Sequence, residues 1–230
     1  MTEQLLYITQ VAGYQNGPAG VHRVLPQATV AMAQLAEIVG LDFTHVTDVR
    51  TIGHDEIAKS RIIGLFTIGE TPWAAEQKRQ LLERLRAGNM GVLTQHSATD
   101  ACYEWPEYVA MVGARFNGHP WTTEFTIEVA DQHHPATVHL DERFRWEDEI
   151  YQFRDLRSDA HILLQMRQGE VDPTAARSAS DTRLPLAWCF EEGRGRIFYT
   201  ALGHFPIAYE YPTYLRHLSG GLSWVLGHDR

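Results

Sequence analysis

The chain has 230 residues and a mass of 26.1 kDa, room for one large domain. Apolar residues at 44% and charged residues at 21% exclude a disordered or collagen-like chain. With 29 acidic against 20 basic side chains, the formal net charge is −9, so there is no basic footprint for nucleic acid or for an anionic membrane.

Cys102 and Cys189 are the two cysteines, too far apart in sequence for a disulfide scaffold or zinc ribbon. The start Met1-Thr2-Glu3-Gln4 has no basic region, and the apolar run at 5–11 is broken by Thr9 and Gln10, unlike a signal peptide. No apolar run reaches the length of a membrane span. The expectation is a cytoplasmic, soluble, single domain over residues 1–230.

In chain order, residues 5–11 read as a buried strand, followed by a loop at 13–18. A helix is predicted over 26–39 and stops at Gly40, a left-handed cap position. Residues 43–46 form a short strand. The continuous apolar run at 62–66 suits a central parallel strand covered on both faces. Thr71 as N-cap, Pro72 at the first helical position and Gly88 as stop bound the next helix, with Leu81, Leu82 and Leu85 on its apolar face. A strand at 91–94 follows. Strands alternating with helices indicate an open parallel α/β sheet.

After about residue 120 the pattern changes. Residues 123–129 alternate as a half-buried strand, and the strands at 185–190 and 196–201 flank a hairpin turn. Pro212 opens a last helix with Leu215, Leu218, Leu222 and Val225 on one face. The polar stretch 168–181 is a candidate mobile loop over a site.

Candidate chemistry centres on the twelve histidines. His96 follows a strand directly and His204 follows another through Gly203, and ligands of open α/β sheets bind beyond the carboxyl ends of the strands. His119 sits in the rigid turn Gly118-His119-Pro120, whereas the adjacent His133 and His134 read as a solvated pair. Asp148-Glu149-Ile150-Tyr151 follows Phe144 and Trp146, surroundings in which desolvation tunes a carboxylate for proton transfer. Tyr103, Trp105 and Tyr108 bracket Glu104, a combination that suits sugar faces and equally a core. The thiols read as ordinary buried cysteines, and there is no G-x-S-x-G elbow, G-x-G-x-x-G run or P-loop. No H-x-x-x-H or H-E-x-x-H pair pre-organises a metal site, so a site without cofactor is favoured. A zinc hydrolase using His96, His119 and His204 with a carboxylate is the alternative.

Six ordered motifs resemble the ThuA-like family, named for trehalose utilisation and related to class I glutamine amidotransferases. They are Arg86-Ala87-Gly88-Asn89-Met90-Gly91 leading into His96-Ser97-Ala98-Thr99-Asp100, and Tyr103-Glu104-Trp105-Pro106-Glu107-Tyr108. Val112-Gly113-Ala114-Arg115-Phe116-Asn117-Gly118-His119-Pro120, His134-Pro135-Ala136-Thr137 and Asp148-Glu149-Ile150-Tyr151-Gln152-Phe153 follow. The last runs from Leu186-Ala187-Trp188 through Gly195-Arg196 to Gly203-His204. The resemblance implies an α/β, three-layer flavodoxin-like fold with a mostly parallel central sheet and an added β-hairpin region. It places His96 where the amidotransferases carry a nucleophilic Cys, which leaves thiolate glutamine hydrolysis unsupported. Val21-His22 stands where the family has an Arg-His pair, so His22 takes the place of its His without the Arg.

The implied role is binding of, or action on, a sugar or oxidised sugar derivative of trehalose-type disaccharide metabolism. His96, Glu149 and His204 are the expected acid–base groups, and Tyr103, Trp105, His119 and Tyr151 the substrate contacts. A non-catalytic binding or assembly protein is the rival reading, and self-association is left open.

Overall fold

A computed structural model describes residues 3–13, 22–172, 174 and 183–228. The first half runs β1 (Gln4–Ile8), α1 (Leu25–Ile38), β2 (Asp42–Val46), α2 (His54–Lys59), β3 (Ser60–Leu65), α3 (Ala75–Arg86), β4 (Gly91–Gln95) and α4 (Pro106–Val112). The second half runs β5 (Arg115–Phe116), β6 (Trp121–Val129), β7 (Arg143–Ile150), β8 (Phe153–Arg154), β9 (His161–Arg167), β10 (Arg183–Glu192), β11 (Gly195–Thr200) and α5 (Pro212–Leu226).

Nine strands form one sheet in the order β2-β1-β3-β4-β11-β10-β9-β6-β7. The sheet is mixed: pairing is parallel from β2 to β11 and antiparallel from β11 to β7. The parallel part has the doubly wound, flavodoxin-like order, in which the chain direction switches between β1 and β3. β5 and β8 pair separately.

Period-two alternation along the strands makes three layers. Leu5, Tyr7, Ile62, Leu93 and Phe198 point to one face, where Leu25, Ala28 and Met32 of α1 and Leu218 and Leu222 of α5 cover them. Leu6, Ile8, Ile63, Val92 and Ile197 point to the other, under Leu81 and Leu85 of α3 and Met111 and Val112 of α4. Burying each such Leu or Ile contributes about 1.5–3 kcal/mol. A Cβ on Gly221 would lie 2.6 Å from the Phe198 ring, so α5 seats directly on β11.

The helix expected at 26–39 stands at Leu25–Ile38, and the hairpin turn expected between the strands at 185–190 and 196–201 is the two residues 193–194. The helix expected from Thr71 begins instead at Ala75. The Thr71 hydroxyl is engaged by Cys102 Sγ at 2.9 Å, and Gln77 Oε1 accepts from Ala74 N, so the cap forms three residues later. His134 is buried against Trp224, not solvated, while His133 is exposed. The expected loop at 14–18 and most of the polar stretch 168–181 lie outside the described residues. Among the described residues no helix is long and apolar enough to cross a membrane.

Candidate active site

The turn that ends β4 puts His96 in the left-handed region, φ +46°, which residues with a Cβ adopt rarely and at a cost. Its side chain is fully buried. His96 Nδ1 lies 2.7 Å from the Ala201 carbonyl oxygen. A carbonyl oxygen only accepts, so Nδ1 carries a proton and Nε2 is the nitrogen that faces the cluster. Tyr151 Oη lies 2.9 Å from Nε2. Burial, and then the Glu149 charge, hold the Tyr151 phenol well above its ordinary pKa, so it keeps its proton.

His204 enters from the loop after β11. Gly203 turns that loop at φ +105°, and any Cβ there would collide with the Tyr214 hydroxyl. His204 Nδ1 comes 3.2 Å from His96 Nε2. Burial, and then His96, lower the His204 pKa, with Glu149 and Asp148 opposing. It is therefore neutral at pH 7.

The carboxylates arrive from the end of β7. Asp148, wholly buried, accepts from Gly203 N at 2.8 Å, Trp146 Nε1 at 3.0 Å, Glu149 N at 2.9 Å and His204 N at 3.2 Å. Burial raises its pKa, opposed by His96 and these hydrogen bonds. It ties the β7 end to the His204 loop. Glu149 points the other way along the strand. Its Oε2 lies 3.3 Å from both His96 Nε2 and His204 Nδ1, and its Oε1 lies 3.6 Å from His119 Nδ1. Burial pushes Glu149 up, but the His96 contact and the neighbouring imidazoles outweigh it, so its pKa falls below the usual carboxylate range. His119, 42% exposed in its side chain, stacks on Tyr151 and marks the open side.

His22, just before α1, is the fourth imidazole. Its ring meets His96 edge-on at 5.1 Å and His204 at 5.8 Å. It is only 4% exposed, and its Nδ1 makes no hydrogen bond. Burial first, then His96 and His204, lower its pKa to about 3. One ring nitrogen from each of His22, His96 and His204 lies within 4.8 Å of the others, the one group among the described residues with this geometry.

The fold thus brings together His96, Glu149, His204, Tyr151 and His119. It does not bring Tyr103 or Trp105 to them. Tyr103 Oη donates to Asp100 Oδ1, and its ring packs under the Arg115 guanidinium. Trp105, 4% exposed, belongs to the core against Trp73 and Tyr108, because the apolar residues of α4 face inward. Sequence reasoning left Asp148 out of the expected site, and its Asp-Glu spacing on a strand could have marked the two side chains as facing opposite ways. His22 had no local signal beyond the resemblance, since it meets His96 and His204 only through the fold. Both thiols stand apart: Cys102 lies beside Thr71 and burial raises its pKa, and Cys189 lies within β10.

No curated protein matches the chain. A ThuA-like protein from Parabacteroides merdae ATCC 43184 is similar in structure, with TM-score 0.77 and 21% identity over 99% of this chain and 91% of that one. Another, from Bacteroides uniformis ATCC 8492, gives TM-score 0.73 and 18% identity over 96% and 91%. These likenesses carry the fold. The family model described as ThuA, trehalose utilisation, matches residues 11–225, and the chain belongs to that family.

Proposed function

We propose that this protein binds an oxidised sugar derivative of trehalose-type metabolism at the His96–Glu149–His204 cluster and moves a proton next to its carbonyl carbon. The observation that carries the reading is Glu149, a carboxylate poised between two imidazoles with both oxygens in contact and its outer side toward His119. Ionised Glu149 accepts the proton, and neutral His204 offers an N–H to the oxygen on which charge develops. Tyr151 and the Ala201 carbonyl fix the His96 ring, so the cluster is ordered before substrate arrives. No thiol takes part.

The sugar assignment draws on the family and on a groove beside the cluster. This groove, of about 890 Å³, does not contain Glu149. It runs past Phe144, Trp146, Ile207 and Tyr211 to Phe205, whose ring meets His204 edge-on at 4.9 Å. Aromatic faces with carboxylates between them suit a second sugar ring. The test is solvent exchange: trehalose oxidised to a ketone on one ring, incubated in D2O, should take up deuterium next to the carbonyl, and Glu149→Gln should abolish the uptake. Uptake at the same rate in Glu149→Gln, or none with any keto-disaccharide, ends this reading.

A further inference from the structure

We propose that His22, His96 and His204 form a site for one divalent transition-metal ion, of zinc type, whose fourth position opens toward Glu149. The inference deepens the proposed function by naming a cofactor for the same cluster, yet the metal-binding argument stands on geometry alone. In a tetrahedral site with bonds of about 2.0–2.1 Å, ligand atoms lie about 3.3 Å apart. His96 Nε2 and His204 Nδ1 are 3.2 Å apart, already such an edge. The His22 nitrogen lies within 4.8 Å of both, so a ring swing of at most about 1.5 Å completes the triangle.

Proton counting points the same way. The Ala201 carbonyl accepts the His96 Nδ1 proton, so Nε2 is the nitrogen turned to the cluster, 2.9 Å from Tyr151 Oη, 3.3 Å from the Glu149 carboxylate and 3.2 Å from His204 Nδ1. His22 adds a ring that is buried and without a hydrogen bond at Nδ1. A buried unpaired polar atom is costly unless a further partner arrives. A cation among the three rings supplies such a partner.

The supporting shell is present as well. A metal-binding imidazole ordinarily donates its other N–H to a carbonyl or carboxylate, as His96 does to Ala201. Asp148 holds the backbone of His204 through its amide. An all-imidazole set favours zinc, cobalt, nickel or copper over magnesium or calcium, which take oxygen ligands. An ion here would polarise a sugar oxygen beside Glu149, which stays free to take the proton.

The experiment uses untagged full-length protein stripped with a chelator, then titrated with Zn2+ by calorimetry and with Co2+ by visible absorption. One equivalent bound with a tetrahedral cobalt spectrum is expected. His22→Ala and His204→Ala should each weaken binding at least about tenfold, while Glu149→Gln and Cys102→Ser retain the stoichiometry. If His22→Ala fails to fold, His22→Gln and zinc-induced protection against thermal unfolding of the wild type give the same readout. No binding by the wild type, or binding unchanged in both His22→Ala and His204→Ala, overturns the site. Deuterium uptake that persists in chelated protein with no metal affinity sinks the metal and spares the proposed function. Stoichiometric binding without any uptake supports the metal and sinks that function.

Discussion

The two halves of the sheet divide the work differently. The parallel half supplies imidazoles: His22 before α1, His96 after β4 and His204 after β11 all stand at connections near the carboxyl ends of parallel strands. The antiparallel half supplies carboxylates and a phenol from the end of β7, the last strand in hydrogen-bond order. Yet Asp148 and Glu149 touch residues next to β4 and β11, near the middle of the sheet. Order along a sheet is therefore a poor guide to distance once the antiparallel strands coil back over it. The parallel half resembles any doubly wound sheet, and the fold-back of β7 gives this site its acids.

The sharpest way to break that division is to remove the carboxylate and keep the imidazoles. Glu149→Gln should lower deuterium exchange by about 10²–10⁴-fold. Cys102→Ser and Cys189→Ala should leave the rate as it is, and a thiol variant that matched Glu149→Gln would move the chemistry back to the amidotransferase pattern.

Next in size is the seam itself. Asp148→Ala strips acceptors from Gly203 N, Trp146 Nε1 and Glu149 N in a dry interior and should cost about 2–5 kcal/mol in urea unfolding. A cost below about 0.5 kcal/mol would mean that the two halves are held together elsewhere.

A third test concerns the interior of the parallel half. His217 on α5 is buried, donates from Nδ1 to the Ala136 carbonyl at 2.8 Å and accepts from Thr200 Oγ1 at 3.2 Å. Phe198 and Tyr214 flank its ring, and His139 and His134 add to the burial that lowers its pKa to about 4. Its folded pKa thus lies below the unfolded value of 6.5, so the unfolded chain binds the extra proton between them. Stability from this residue is complete above pH 6.5 and falls toward pH 4, by about 3 kcal/mol. His217→Gln should flatten that part of the slope in urea midpoints measured against pH. An equal slope in the variant would assign the acid sensitivity to other groups.

The smallest effects belong to the surface of both halves alike. Arg145→Ala removes ion pairs with Glu124 and Glu170, and Arg79→Ala those with Glu76 and Glu83, all well exposed. Each should leave the urea midpoint almost unmoved, and the more so at high salt. A larger loss at Arg145 alone would show that the antiparallel half depends on its outer face.

The halves also differed in how legible they were. β1, β3 and β4 stand out because strands covered on both faces are written as apolar runs, and α1 and α5 because Pro and Gly punctuate them. β7 did not read as a strand. Its alternation of Arg143 and Arg145 with Phe144 and Trp146 ends in buried Asp148 and Glu149, where a polar residue takes an interior position. His96, Glu149 and His204 could be singled out from their places beside strands and aromatics. The approach of His22 to His96 and His204 could not, because it links loops on three separate parallel strands and leaves no spacing in the chain. Trp105 misled for the opposite reason: an aromatic beside carboxylates looks the same in sequence whether it stacks on a ligand or fills a core.

The place of β11 bears on how the chain is made. β4 ends at Gln95, and the strand that pairs with its free side begins at Gly195, with the whole antiparallel region attached beyond it. During synthesis the first four parallel strands emerge with one long apolar edge unpaired for about a hundred residues of elongation. Such an edge invites pairing with another nascent chain. The keystone of the sheet is the last of the described strands to leave the ribosome, so truncations before Gly195 should aggregate, whereas the longer chain closes its edge in one late, slow insertion.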